Sequence, residues 1–125
     1  MRETTREQSP ETVWNLPELL ARVEDDQELA RELLAIFKED FPRLFRPLQE
    51  AIGGRELKKV AALGHTLKGM FANLAAARAA AAAARLEEAA RAGESGSLEE
   101  ALETLRGEVA KLLPELDAYL KGVQP

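Results

Sequence analysis

The chain contains a single histidine, His65, and no cysteine. Histidine is the side chain whose charge changes near neutral pH, and its neutral imidazole is a nucleophile able to form covalent intermediates. Lys68 follows three residues later and Gly69 four, the spacings that put side chains on one face of a helix. Lys68 is therefore within reach of an anion held on the ring, and Lys58 flanks the same face from the other end. Gly69 carries no side chain to obstruct an approaching partner. A glycine inside a helix costs about 1 kcal/mol relative to alanine, so its presence at an exposed position calls for a reason. The chemistry this set suits is carriage of a phosphoryl group on imidazole, with lysine moderating the repulsion between a dianion and an acidic acceptor. No set of metal ligands accompanies His65. No metal or cofactor is expected, and any magnesium would come with the partner. Each residue alone has an ordinary explanation as a solvated histidine, a surface lysine or a packing glycine. Their coincidence on one face is what points to function.

That face is defined by a helix read over residues 56–73, whose apolar side is Leu57, Val60, Leu63, Gly64, Leu67, Phe71 and Leu74. At about 100° per residue, His65 falls roughly 150° from the centre of this cluster, toward solvent or a partner. Ala61, Ala62, Gly69 and Ala72 surround it, and their lack of bulk makes them the expected docking surface together with Lys58.

The remaining elements also read as helices. Asn15 and Glu18 bracket the start of a short helix through Val23. Asp25 is the expected N-cap of a long helix with apolar positions Leu29, Leu33, Phe37, Phe41, Leu44, Leu48 and Ile52. Pro42 and Pro47 lie inside it, where a bend or break is expected, and Gly53-Gly54 is expected to end it. A helix over 76–91 contains the alanine run 79–84, whose small side chains let neighbours approach closely. After the Gly93–Gly96 loop, Ser97 and Glu100 form an S-x-x-E capping pattern. The last helix has the period Leu98, Leu102, Leu105, Val109, Leu112, Leu116, Tyr119, with a mild kink expected at Pro114. No strand pattern or repeat is present. Residues 1–12 read as a disordered leader and 13–122 as one domain. The expected fold is all-α, an antiparallel four-helix bundle with a short additional N-terminal helix capping one end over Trp14.

Composition narrows the function classes. A chain of 125 residues holds one compact domain and leaves no room for an ATP-binding kinase domain beside the bundle. The absence of cysteine excludes disulfides and thiolate metal sites. No apolar run approaches the length of a membrane span, and the N-terminus lacks the apolar stretch of a secretory signal, so a cytoplasmic location is the default. The net charge of -5 argues against a general nucleic-acid binder. From Arg55 to Arg85, however, six basic residues stand against one acidic residue, making that stretch +5 on an acidic remainder of -10. A basic region of this kind suits an anionic ligand or an acidic partner surface.

The segment from Ala62 to Ala76, with His65-Thr66-Leu67-Lys68-Gly69 at its centre, resembles the signature of histidine-containing phosphotransfer domains. The pair Leu86-Glu87 looks like that family's helix ending, and the Leu29–Ile52 helix is similar to its preceding helix, so the resemblance spans roughly residues 14–121. It implies that His65 is the phosphoacceptor, that Lys68 helps hold the phosphoryl group and that Gly69 clears space for the partner. It implies, too, exchange with the aspartate of a receiver domain, in a response regulator or a hybrid sensor histidine kinase, and no kinase activity of the chain's own. Two positions depart from the family pattern. Met70 stands where a small polar residue is usual, and Ala75 where glycine is frequent at the turn between the central helices. If that turn needs a left-handed residue, alanine bears a cost of order 1 kcal/mol unless Asn73 takes the role.

Two rival readings remain at this level. One is a helical module that docks on receiver or kinase domains without accepting phosphate. The other is an enzyme or metal-binding bundle, which would need several inward Glu-x-x-His pairs that one outward histidine does not supply.

Overall fold

The structure, a computed structural model, describes residues 12–122. The expected leader therefore lies almost wholly outside the described residues. The helices are α1 (Leu16–Arg22), α2 (Gln27–Gly53), α3 (Leu57–Asn73), α4 (Ala77–Arg91) and α5 (Leu98–Leu120), with a 3-10 turn at Ser95–Ser97 before α5. The four long helices form a closed ring of neighbours, α2 on α3, α3 on α4, α4 on α5 and α5 on α2, and the α3–α4 pair is the most extensive. The fold is the antiparallel four-helix bundle with a short extra N-terminal helix. Its core is aliphatic, with Leu19, Leu34, Leu48, Leu67, Leu86, Leu105, Leu112 and Leu116 fully buried. One aromatic group, Phe37, Phe41 and Phe71, fills the space between α2 and α3.

The segment carrying α1 closes the end of the bundle where α3 turns into α4. Trp14 is buried, and its Nε1 donates to the Leu74 carbonyl at 2.9 Å. The Asn15 amide donates to the Ala75 carbonyl at 3.0 Å, and Arg22 Nη1 donates to the Ala72 carbonyl. These donors occupy carbonyls that a helix terminus leaves without an intrahelical partner. Trp14 also meets the Tyr119 ring edge-on at 5.9 Å, so α1 is held against α5 as well.

Four helices end in the same way, α1 among them with Asp25 N on Leu20 O, Glu24 N on Ala21 O and Glu24 at φ +55°, and only one of the four uses glycine at the left-handed position. After α3, Ala76 N bonds Phe71 O and Ala75 N bonds Ala72 O, with Ala75 at φ +66°. After α2, Glu56 N bonds Ala51 O and Arg55 N bonds Ile52 O, with Arg55 at φ +57°. After α4, Glu94 N bonds Ala89 O and Gly93 N bonds Ala90 O, with Gly93 at φ +76°. This paired pattern is the Schellman motif. Ala75, not Asn73, takes the strained role at the α3–α4 turn. The Gly53-Gly54 pair ends α2 without supplying the left-handed residue: Gly54 has φ -90°, and the reversal falls one residue later on Arg55.

Several other expectations are corrected. The N-cap of α2 is Asp26, whose side chain accepts from the Leu29 amide, because Asp25 is itself left-handed at φ +63°. The buried stripe at the start of α2 is Ala30 and Leu34, while Leu29 is exposed and Leu33 half-buried. Spacing among large residues overlooked that a small alanine occupies the first core position. Pro42 and Pro47 do not break α2. The carbonyls they leave unmatched belong to Lys38 and Arg43, both exposed residues, where water can serve them. Ser97 makes no capping bond, since it sits at the end of the 3-10 turn with a helical backbone rather than the extended one a cap requires. The Asn15 cap of α1, by contrast, forms, accepting from the Glu18 amide.

Candidate functional site

His65 stands in the middle of α3, and its position over α4 is set by Gly64. A Cβ on Gly64 would lie 3.2 Å from Glu87 N and 3.3 Å from Ala83 O. A side chain here would require the α3 and α4 backbones to separate by a few tenths of an ångström. Ala83 meets Gly64 and Ala90 lies beside Ala61, and Ala79 and Ala82 are buried on the same helix, so the small side chains of α4 serve a close seam. The seam brings Glu87 beside the residue that precedes His65.

Glu87 is the one buried charged residue among those described, 7% exposed. Its Oε2 lies 3.1 Å from His65 Nδ1 and accepts from Arg91 through Nε at 3.0 Å and Nη2 at 2.7 Å. Its Oε1 lies 3.1 Å from Lys68 Nζ. The Arg91 hydrogen bonds are the main cause that lowers the Glu87 pKa from 4.5 to about 2, and Lys68 adds to them against the opposing effect of burial. Glu87 is therefore a carboxylate at any physiological pH and can only accept. That assigns the ring proton of neutral His65 to Nδ1, donating to Glu87, and leaves Nε2 with its lone pair. The His65 side chain is 63% exposed. Lys68 and Arg91 against Glu87 make the immediate surroundings of the imidazole net positive by one charge.

The other residues singled out from sequence fall around this centre in different ways. Ala62, Gly69 and Ala72 are exposed on the His65 side of α3. Nothing lies within 4 Å of a Cβ built on Gly69, so no internal contact requires a glycine there. Ala61, expected on the exposed face, is instead buried at 9%, because it lies on the edge of α3 that turns into the α4 seam. With Leu57, Lys58, Ala62, Ala90 and Arg91 it lines a shallow groove one turn before His65. Lys58 is exposed at the rim of that groove and is not part of the Glu87 cluster. Met70 is half-buried against the core edge. Of the basic stretch, Arg55 pairs with Glu99, Arg78 with Glu108 and Lys68 with Glu87, so half of its cations meet acids from the chain's acidic remainder.

Sequence reasoning missed Glu87 and Arg91 as members of the site. The pair Leu86-Glu87 does not end α4 but lies one turn inside it. A glutamate amid alanines on a helix that packs closely was an available signal, as was Arg91 at i+4 from it. What could not be read was that Gly64 would bring that glutamate under the histidine. Among the described residues no group of three metal-ligating side chains exists, and no helix is long and apolar enough to cross a membrane.

No curated protein and no solved structure matches the chain. A family model described as Hpt domain matches residues 32–119, a span that contains α3, α4 and the whole His65 cluster. With that match over most of its length, the chain belongs to the Hpt domain family.

Proposed function

We propose that this protein is a phosphorelay intermediate that accepts a phosphoryl group on Nε2 of His65 and exchanges it with the aspartate of a receiver domain. Family membership supplies the coarse statement, a phosphotransfer module rather than a catalytic kinase domain. The observation that carries the finer one is an exposed imidazole whose Nδ1 is engaged by a buried carboxylate.

The step balances without a proton leaving the ring. The Nε2 lone pair attacks the phosphorus of an aspartyl phosphate, the N–P bond forms, the P–O bond breaks, and its electrons leave with the carboxylate. Nδ1 keeps its proton, so the ring becomes cationic as the bond forms. Glu87, already ionised and in contact with Nδ1, stabilises that developing charge. Lys68, at the surface one turn from His65, is the cation placed to meet the incoming phosphoryl oxygens. A cationic ring is also a good leaving group, which favours onward transfer to a second aspartate. The small residues Ala62, Gly69 and Ala72 leave the approach to Nε2 open, and Lys58 and Arg91 give the adjoining groove a positive rim suited to an acidic receiver face.

The test is incubation with a radiolabelled phosphorylated receiver domain, comparing the wild-type chain with His65→Gln. The variant is expected to lose labelling to background; equal labelling of both proteins would end the reading.

A further inference from the structure

Arg91 is the one member of the His65 cluster to which the transfer step itself gives no task. It sits on α4 one turn after Glu87, and both of its contacts, Nε at 3.0 Å and Nη2 at 2.7 Å, fall on Oε2. That is the same oxygen that faces His65 Nδ1. Lys68 holds only the other oxygen, Oε1. The two cations thus divide one carboxylate between them.

The division matters because Lys68 has two destinations. It lies on Oε1 while His65 is unmodified, and it must leave that atom to reach a phosphoryl group on Nε2. Were Lys68 the sole cation on Glu87, its departure would strand a buried carboxylate, a costly state that would hold the lysine back. A guanidinium presents a planar fork of donors in fixed geometry, and here the fork closes on the oxygen Lys68 does not use. We propose that Arg91 is a positioning residue for phosphoryl transfer, pinning Oε2 of Glu87 against His65 Nδ1 so that Lys68 is released from Oε1 to the phosphoryl group. This rests on the reading of His65 as phosphoacceptor.

Two measurements on the full chain test it. The first is the His65 tautomer in the unphosphorylated protein, read from imidazole nitrogen chemical shifts. The second is the single-turnover rate of transfer from a phosphorylated receiver domain at saturating receiver, which separates the transfer step from docking. Arg91→Met keeps the aliphatic stem and removes the donors. It is expected to convert an Nδ1–H population into a mixture of tautomers and to slow transfer roughly tenfold, the lower end of the loss when a partner orienting a metal-ligating histidine is removed. Arg91→Lys restores charge without the fork and is expected to fall between the two, which keeps the test valid should the methionine variant fold poorly. A wild-type tautomer in Arg91→Met overturns the proposal. So does a loss confined to receiver affinity, which would make Arg91 a docking contact only. If the wild-type chain takes no phosphoryl group while Arg91→Met still shifts the tautomer, the phosphoacceptor reading fails and the control of the imidazole by Arg91 stands.

Discussion

Helix α3 meets its two neighbours in opposite ways. Toward α2 the contact is made by large rings, with Phe71 against Phe37 at 5.5 Å and against Phe41 at 6.0 Å. Toward α4 it is made by backbone, with Gly64 against Glu87 N and Ala83 O and buried alanines on the facing side. Ring contacts contribute most of the apolar burial but tolerate small shifts, because side chains repack. A backbone contact buries little area yet fixes the distance between two helix axes closely. The His65 cluster sits on the second kind of contact. His65 and Lys68 from α3 and Glu87 and Arg91 from α4 meet at about 3 Å only if that distance is held. In this bundle the aromatic side supplies cohesion and the glycine–alanine side supplies registration.

The two glycines of α3 carry the comparison within one helix. Gly64 faces backbone and Gly69 faces open space. Gly64→Val is expected to force α4 outward, since the obstructing atoms are main chain. Destabilisation of about 1–3 kcal/mol should appear in chemical unfolding, together with loss of the Nδ1–Glu87 hydrogen bond in nitrogen shifts. Wild-type shifts in a folded Gly64→Val would break the claim that backbone contact registers the site. Gly69→Leu should do the reverse. It is expected to gain about 0.5–1 kcal/mol of stability from helix propensity while transfer from a receiver falls steeply, because the new side chain obstructs docking. Unimpaired transfer would remove the reason offered for that glycine.

A pH series sharpens the role of Glu87. Its folded carboxyl titrates at about 2 rather than 4.5, so the unfolded chain takes up the proton first as pH falls. The stability contributed by its charge is fully present above about 4.5 and is lost on descending through about 2. The unfolding free energies of wild type and Glu87→Gln should therefore converge over that window, and a constant difference would show that the buried charge is not what the seam holds. The smallest expected effect is at the turn that joins the seam's two helices. Ala75→Gly relieves a left-handed alanine at φ +66°. A gain of up to about 1 kcal/mol, read as a raised Tm with transfer unchanged, is expected.

Most of the fold was legible because apolar spacing and chain punctuation are local properties. The helical wheel put His65 outside and Gly64 inside, and Asn15 announced the start of α1. The errors came where two local signals competed. Asp25 drew the N-cap of α2 away from its neighbour Asp26, and large leucines at the start of α2 outweighed the alanine that is buried there. The site was legible only in part for the same reason. His65, Lys68 and Gly69 lie within one helical turn and a little more, so helix geometry alone relates them.

What the sequence determined by itself is therefore the exposed imidazole with its lysine and open glycine, since those relations need nothing beyond the pitch of a helix. Tertiary structure decided the rest. Glu87 lies 22 residues from His65, and a carboxylate at that separation becomes a partner only when two helices pack. How closely they pack depends on a hydrogen atom standing where a Cβ would crowd the α4 backbone. Which ring nitrogen keeps its proton, and which keeps its lone pair, follows from that contact.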